Sequence, residues 1–596
     1  MWEQWPADWF VGPLRNYAVL KPGTDVDQFQ AKLHTFAHDH LIPNGREKVD
    51  LYLQQGPRMH LCTKQDYGVD TGGGFDEPSG NIDRVYAVMG IGTLVLILAC
   101  LNYVNLITSQ ADVRSREVGL QKVSGASRRH LMYQFVGESI LTSTVTFGIA
   151  LALADQALPW IGNILDEQLS LSALSWPLLI GSLMVAIPTV ALLATVYPAI
   201  ILSGHQPIES LSGKGFRRSS GKGLRQTLVV VQFCASIALI IGTIVVHNQI
   251  VYIQNKDLGF EKERIITLPF FLRDRAMWEK IDAIKTEITN IAGVESATAV
   301  HHRPGQGESN FSTVRSQDGS PEGHKMTWGG IDEDFRIDLV GGQNISRNDF
   351  RTISETERET SVLLNETAAK LVGWTPGSTT TLYGEWGWRY SVNGILPDYH
   401  NQSLHSGITR LMLNYSTNPK IIYARLTPGN LPQTIAQLER VWKAFLPDRP
   451  FEYTFLDDHF DTFYRSEMVL RQIVSFFSVL AIVVGCLGTL GLVTYSARRR
   501  RKEMGIRKTL GADADNVIYL LSREFMILVL AAFCVASPIA YYFCADWLNA
   551  FAYRIDVPLA AFVIGGAVTF ILVALSITVQ TIWASREDPV EALRYE

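Results

Sequence analysis

The segment SSGKGLRQT at Ser219–Thr227 is the nearest approach in this 596-residue chain to a nucleotide-binding sequence. A phosphate-cradling loop needs Gly-x4-Gly-Lys-Ser/Thr at the opening of a helix, where backbone N–H groups hold phosphate and the hydroxyl meets magnesium. Here Gly223 stands in place of the hydroxyl and Phe216 in place of the upstream glycine. The segment therefore reads as a flexible basic linker, and no ATP site is expected. The Ser, Asp and His residues of the glycine-rich stretch His302–Gly330, expected to be a mobile loop, show no nucleophile–base spacing. Cys100, Cys234, Cys486, Cys534 and Cys544 lie in or at the ends of apolar stretches, which leaves Cys62 without a partner on its side. Such placement makes neither a disulfide framework nor a metal site. No catalytic residue and no cofactor are expected.

Glu138 and Glu524 are different, because each interrupts an apolar stretch. An ionisable group in a membrane helix is a functional candidate by default. Both lie within reach of a basic loop, so ion pairing that braces the loop is the expected role. Asp155 falls near the outer end of its stretch and is expected to be solvated.

The elements that must position these residues are membrane spans. With 47% hydrophobic residues the chain is only mildly apolar overall, so its membrane character is concentrated in segments. Seven stretches are long enough to cross a hydrocarbon core of about 30 Å as helix. They are Val85–Thr108, Leu131–Leu158, Trp176–Leu202, Leu224–Ile250, Ile473–Tyr495, Val517–Trp547 and Pro558–Trp583. A net charge of −5 argues neither for a nucleic-acid partner nor for a generally basic surface, and no nucleic acid is expected. Basic residues cluster after the first span (Arg114, Arg116, Lys122, Arg128, Arg129), between the third and fourth (Lys214, Arg217, Arg218, Lys222, Arg225), and after the fifth (Arg498–Lys502, Arg507, Lys508). The positive-inside rule then puts these loops and the C-terminus in the cytoplasm, with residues 1–83 and the long segment Val251–Leu470 outside. Within that segment, strand-like runs (IITLPF, SVLLN, IIYARL) alternate with helical ones (MWEKIDAIKTEITNIAG, LPQTIAQLERVWKAFL), which predicts an α+β domain.

The chain also repeats itself. Ser115–Leu141 matches Arg501–Ile527, pairing Glu117 with Glu503, Gly119 with Gly505, Lys122 with Lys508, Gly125 with Gly511 and Glu138 with Glu524. Two spans later, QPIESL at Gln206–Leu211 matches DPVEAL at Asp588–Leu593. The repeat extends outward, since YAVLKPGTD at Tyr17–Asp25 resembles YARLTPGNL at Tyr423–Leu431. A span and about 170 outer residues precede the second of these, but only 16 residues precede the first. The expectation is that the chain begins inside a first outer domain, short of an opening span.

A span followed by KEMGIRKTLGA, a second copy of that loop, an outer domain reading DLGFEKERIITL, LLNETAAKLVGW, LPDYHNQSLH and FEYTFLDDHFDTFYRSE, and a terminal DPVEALRYE together resemble the MacB/FtsX family of ABC permeases. The resemblance covers nearly the whole chain. It implies an α-helical membrane protein with two FtsX-like repeats and an α+β extracytoplasmic domain, in the bacterial inner membrane. It divides the chain into a remnant of a first outer domain (1–83), an FtsX-like unit (84–212), a basic linker and span (213–251), a MacB-like periplasmic core domain (252–467) and a second FtsX-like unit (468–596). The implied function is that of a permease subunit, which couples ATP hydrolysis by a separate ATPase, in two copies, to export or mechanotransmission. A regulator of a periplasmic hydrolase or sensor kinase is the alternative, and a periplasmic membrane-fusion protein is a further partner that efflux would bring.

In that family the basic loop forms a coupling helix that docks in a groove of the ATPase. Lys and Arg suit an anionic lipid surface, while Met504, Ile506 and Leu510 recur at near-helical spacing and can fill a groove. Gly511 is placed to end the helix with a left-handed cap. The expected coupling residues are Glu117, Gly119, Lys122 and Gly125 in one copy, and Glu503, Met504, Gly505, Ile506, Arg507, Lys508, Leu510 and Gly511 in the other.

Overall fold

The computed structural model describes residues 18–40, 51–59, 61–62, 65–66, 82–109, 120–121, 123–165, 168–204, 222–260, 262–270, 280–301, 311–315, 323–331, 339–346, 349, 351–352, 358–378, 380–384, 388–401, 403–416, 419–447, 449–499 and 514–585. Residues Met1–Val85 form a unit of their own. In it helix α1 (Val26–His40) is capped by Asp25, whose Oδ1 accepts from the Asp27 and Gln28 amides at 3.1 and 3.2 Å. Gln30 of α1 then holds the chain beyond it with both ends of its amide, donating to Leu51 O at 2.6 Å and accepting from Leu53 N at 2.7 Å. A short helix, α2 (Gly56–Met59), follows.

The first four expected spans lie in α3 (Ile82–Ser109), α4 (Arg128–Leu165), α5 (Trp176–Gly204) and α6 (Lys222–Gln254). α4 and α5 pack on each other as an antiparallel hairpin. Among the described residues, six helices are long and apolar enough to cross a membrane. The third expected span, Trp176–Leu202, is helical, but its described apolar portion runs only from Trp176 to Leu192.

Between α6 and the next long helix the chain folds into the expected α+β domain. A four-stranded sheet has the order β12 (Thr454–Phe455), β1 (Ile265–Pro269), β11 (Ile421–Leu426), β2 (Val294–Val300). Alternation along its strands sends Ile266 and Leu268 of β1, with Ile422 and Ala424 of β11, toward α7 (Ile281–Thr289) and a later helix that carries Leu438 and Trp442. The neighbours Ile265, Ile421 and Tyr423 face a second core on the other side. This is the period-two division expected of a sheet covered on both faces.

The larger, eight-stranded sheet runs β3 (Phe311–Val314), β4 (His324–Ile331), β10 (Leu411–Tyr415), β7 (Arg358–Asn365), β9 (Trp388–Leu396), β5 (Gly341–Gly342), with β6 (Arg351–Thr352) on β7 and β8 (Thr381–Tyr383) on β9. Its β3 and β4 correct the expectation of a loop over His302–Gly330. The glycines there serve strand packing: a Cβ on Gly329 would lie 2.6 Å from Leu413 Cδ2. Asn365 ends β7 and caps α8 (Glu366–Val372), and its side chain also donates to Asp398 Oδ1 at 2.8 Å and to Thr409 O at 2.9 Å. These bonds pin both ends of the segment that follows β9. The domain closes with α9 (Leu431–Phe445) and α10 (Leu456–Phe463).

The chain re-enters the helical region through α11 (Arg465–Arg499), α12 (Ala514–Leu548) and α13 (Leu559–Ser585). These three surround α6. Val229, Phe233, Ile237, Ile241 and Val245 of α6 share one core with Ala532, Ala536 and Ala540 of α12 and with Val573 and Ile577 of α13. Small residues let membrane helices approach closely; a Cβ on Gly565 of α13 would sit 3.0 Å from Ile241. α3 packs on the same assembly through Val95 and Leu98 against Ala235, Leu239 and Ala481. It meets α11 where Asn102 lies over Gly488 and Leu106 over Gly491. Asn102 and Gly488 are equivalent positions of the repeat, so α3 and α11 meet at matching heights.

Candidate functional site

Of the two expected coupling loops, the second (Glu503, Met504, Gly505, Ile506, Arg507, Lys508, Leu510, Gly511) lies outside the described residues, as do Glu117, Gly119 and Lys122 of the first. The end of the first loop is described. Gly125 has φ +95°, and the Ala126 amide donates to Gln121 O at 2.9 Å. This is the six-to-one bond of a Schellman cap, for which a left-handed glycine is the favoured residue. Ser127 then opens α4: its Oγ accepts from the His130 amide at 3.3 Å and its carbonyl from the Leu131 amide at 3.2 Å. A helical turn, a glycine stop and a serine cap thus follow within a few residues. Leu120 and Val123 on that turn are 63% and 66% exposed, although apolar. Leu120 matches Ile506 in the register of the repeat, and sequence reasoning had passed over it.

The two carboxylates have different settings. Glu138 is exposed on α4, and its Oε1 accepts from Gln134 Nε2 one turn earlier at 3.1 Å. Glu524 is half-buried on α12, and its Oε1 accepts from Gln226 Nε2 of α6 at 3.2 Å. Glu524 therefore braces one helix against another near the basic end of the bundle.

At the opposite end, the outer domain and the membrane helices interlock. Gln249, fully buried near the end of α6, donates from Nε2 to Tyr553 O and accepts at Oε1 from Ile555 N, both at 2.9 Å. Both ends of its amide are used, as in Gln30, here to hold the loop between α12 and α13. The segment after β9 meets the same loop from above, with Ala552 N donating to His405 O at 3.2 Å and Tyr553 N to Leu404 O at 3.4 Å. The His405 ring stacks on Phe551 with centroids 4.3 Å apart. Its Nδ1 lies 2.8 Å from Ser403 Oγ, and its Nε2 lies 3.4 Å from the buried Glu467 carboxylate at the start of α11. The Tyr464 OH accepts from Leu404 N at 2.8 Å, and burial pushes its pKa up, which keeps the neutral phenol.

Two more groups complete this joint. His400 packs edge-on against Tyr553 with centroids 4.6 Å apart, and burial, with Lys256 adding its charge, holds its imidazole below the usual pKa. Lys256, just past α6, sits over the Tyr252 and Tyr553 rings at 5.7 and 5.5 Å, a cation–π arrangement. Beneath these contacts one apolar core runs from Ile253 and Leu258 through Leu404, Tyr464 and Phe551 to the strands of the outer domain. Close-packed interiors transmit displacement because they have little room to absorb it. The arrangement suits a mechanical linkage between helix ends and outer domain. Sequence reasoning assigned these residues no role, although LPDYHNQSLH contains His400 and His405, and FYRSE contains Tyr464 and Glu467.

The FtsX-like permease C-terminal family matches this chain twice, over residues 89–207 and 475–589. The macrolide export ATP-binding/permease protein MacB of Bdellovibrio bacteriovorus is 32% identical over 126 residues, 20% of this chain and 18% of that protein. Two uncharacterized ABC transporter permeases of Bacillus subtilis are similar too. YvrN is 23% identical over 184 residues, and YknZ is 26% identical over 135. These matches cover 30% and 22% of this chain, and 44% and 32% of the respective relatives. The chain thus spans less than half the length of each of these curated relatives.

Proposed function

Because this chain is an ABC transporter permease of the MacB/FtsX type, with an FtsX-like domain in each half, we propose that it converts ATP-driven movement at its basic loops into movement of its outer domain. A separate ATPase subunit, in two copies, docks on the loops around Arg116–Gly125 and Glu503–Gly511. The exposed Leu120 and Val123 beside the Gly125 cap support this reading, since apolar side chains on a short helix are what a partner groove receives. Glu524 passes tilt of α12 to α6 through Gln226. The protein lies in the bacterial inner membrane with the basic loops and C-terminus in the cytoplasm, and the domain boundaries follow the division set out above. Export of a substrate from the outer side is the activity this motion serves.

The joint carries the proposal: Gln249, His405, Tyr464 and Glu467 tie α6, α11 and the α12–α13 loop to one segment of the outer domain. The test is a distance measurement between spin labels on Ser172, in the loop joining α4 and α5, and Asn430, in the outer domain. In membranes containing the cognate ATPase, trapping ATP hydrolysis with vanadate is expected to shift the distance distribution, and Gln249→Leu is expected to reduce the shift. An unchanged distribution in a complex that hydrolyses ATP refutes transmission to the outer domain.

A further inference from the structure

Small polar groups tie α6 to α11 along their seam. Ser236 Oγ donates to Ala481 O at 3.4 Å, Ser478 Oγ donates to Leu239 O at 3.1 Å, and Thr243 Oγ1 lies 2.8 Å from Ser478 Oγ. One turn beyond Thr243 the seam changes character. There Arg471 of α11 places Nη1 3.5 Å from Nδ1 of His247 of α6, with His247 exposed and Arg471 half-buried. Among the described residues, no carboxylate forms an ion pair with the Arg471 guanidinium. Glu467, one turn earlier on α11, is buried at the joint, 3.4 Å from His405.

The pair stands at a defined height. Between Arg225 and His247, α6 has no charged residue over a rise of about 33 Å, close to the hydrocarbon thickness of about 30 Å. On α11 the uncharged run Ile473–Tyr495 begins two residues after Arg471. Both side chains therefore lie where hydrocarbon gives way to phosphate, in the leaflet nearer the α+β domain. An aromatic marker agrees. Trp160 of α4 is 57% exposed and lies against Phe476 of α11 with ring centroids 6.3 Å apart, and tryptophan collects at that boundary.

An imidazole that accepts through Nδ1 carries its proton on Nε2, and one that is protonated sets two cations side by side. Either form is stabilised by an anion that touches both groups, since hydrogen bonds to a charged acceptor are the strong ones. The fork of a guanidinium matches phosphate oxygens in pairs. At this height the phosphate at hand is that of lipid. A lipid whose headgroup beyond the phosphate is uncharged, as in phosphatidylglycerol, suits the site better than phosphatidylethanolamine, whose ammonium would approach the guanidinium. We propose that His247 and Arg471 bind the phosphodiester of one anionic phospholipid, which clips α6 to α11 just below the joint. The site depends on neither the cargo nor the ATPase.

The test is native mass spectrometry of the full chain released from nanodiscs that contain phosphatidylethanolamine and phosphatidylglycerol in equal amounts, which reads the lipids retained. The parent is expected to retain phosphatidylglycerol over phosphatidylethanolamine by about tenfold, a ratio corresponding to about 1.4 kcal/mol. Arg471→Gln is expected to abolish the preference and His247→Leu to lower it part-way. Arg554→Gln removes another cation near the same end of the bundle, one bonded to Asn549, and should leave the preference intact. Excess glycerol phosphate added in detergent distinguishes the two sources of phosphate and is expected not to displace the retained lipid. Equal ratios in the parent and Arg471→Gln overturn the proposal. An unchanged ratio in His247→Leu does so independently, should Arg471→Gln fail to fold. Displacement by glycerol phosphate would make the occupant a soluble ester, and an equal fall with Arg554→Gln would assign the preference to general surface charge; each also overturns it.

Discussion

Replacing Gln249 by Met keeps the length and most of the volume of the side chain but removes both arms of the clamp on the α12–α13 loop. Tyr553 O and Ile555 N each lose a 2.9 Å partner. A buried backbone group left without a partner costs about 1–3 kcal/mol, so two give a ceiling of about 6 kcal/mol. Both loop residues are only half-buried, and water can reach them once the loop shifts. The expected loss is therefore near the lower end, about 2 kcal/mol, which is roughly thirtyfold in the opening equilibrium. The assay is amide hydrogen exchange on the protein in lipid nanodiscs, following the peptide that contains Ile555. Its protection should fall by about that factor, while peptides from β7 and β10 should be unaffected. Gln249→Glu supplies a control, because a carboxylate still accepts from Ile555 N but cannot donate to Tyr553 O unless protonated. Its Ile555 amide should stay closer to the unsubstituted protein. If Ile555 is equally protected in the Met variant and the parent, Gln249 does not hold the loop and the joint is not the linkage argued above.

Four further outcomes are expected. Ile506→Asp should weaken retention of the ATPase a hundredfold or more, from burial of an unpaired carboxylate together with about 1–3 kcal/mol of lost apolar contact, whereas Arg499→Gln should leave it near the parent value; equal co-purification of the ATPase with the Ile506→Asp and parent proteins would remove that loop as the docking element. Gly125→Ala should cost about 1–2 kcal/mol at φ +95° and increase protease nicking between Gln121 and Ser127; unchanged nicking would mean the cap is not held. Asn105 is fully buried, and neither of its amide atoms has a hydrogen-bond partner among the described residues, so Asn105→Leu should raise the thermal midpoint, and a lower midpoint would show the amide to be satisfied in the membrane. His400 has its pKa depressed by burial, so the unfolded chain takes up a proton that the folded chain refuses. Its contribution to stability is complete above its unfolded pKa of about 6.5 and is lost as pH falls through the window down to the folded value; His400→Phe should flatten the thermal midpoint over that range, and an unaltered profile would assign the dependence to other groups.

What was legible beforehand followed from periodic signals. Long apolar runs gave the spans because length and composition alone decide whether a helix can cross a membrane. IITLPF, SVLLN and IIYARL gave strands because their apolar residues are covered on both faces. His302–Gly330 misled because glycine and polar content usually marks a loop, whereas here β4 is an inner strand of the larger sheet and its glycines make room for neighbours such as Leu413. The joint was illegible for another reason. Gln249 is one polar residue at the end of an apolar run, and its partners Tyr553 and Ile555 lie about three hundred residues later. No local pattern encodes such a pairing. His405 and Glu467 likewise become neighbours only once the outer domain has folded down onto the helix ends. The Gly125 cap was foreseen for its counterpart Gly511, because a left-handed stop is a property of glycine itself.

The crossing of α3 and α11 bears on why two halves are fused into one chain. In a dimer of identical subunits, the residue on the two-fold axis must face its own copy, so a large side chain meets a large one and a glycine leaves a gap. Here Asn102 faces Gly488, a large-into-small fit that symmetry forbids to identical partners. Fusion frees each side of the axis to mutate alone. Substitutions that would appear twice in a homodimer, clashing or leaving voids in pairs, can be accepted singly, and the halves can drift toward unequal tasks while their seam stays packed.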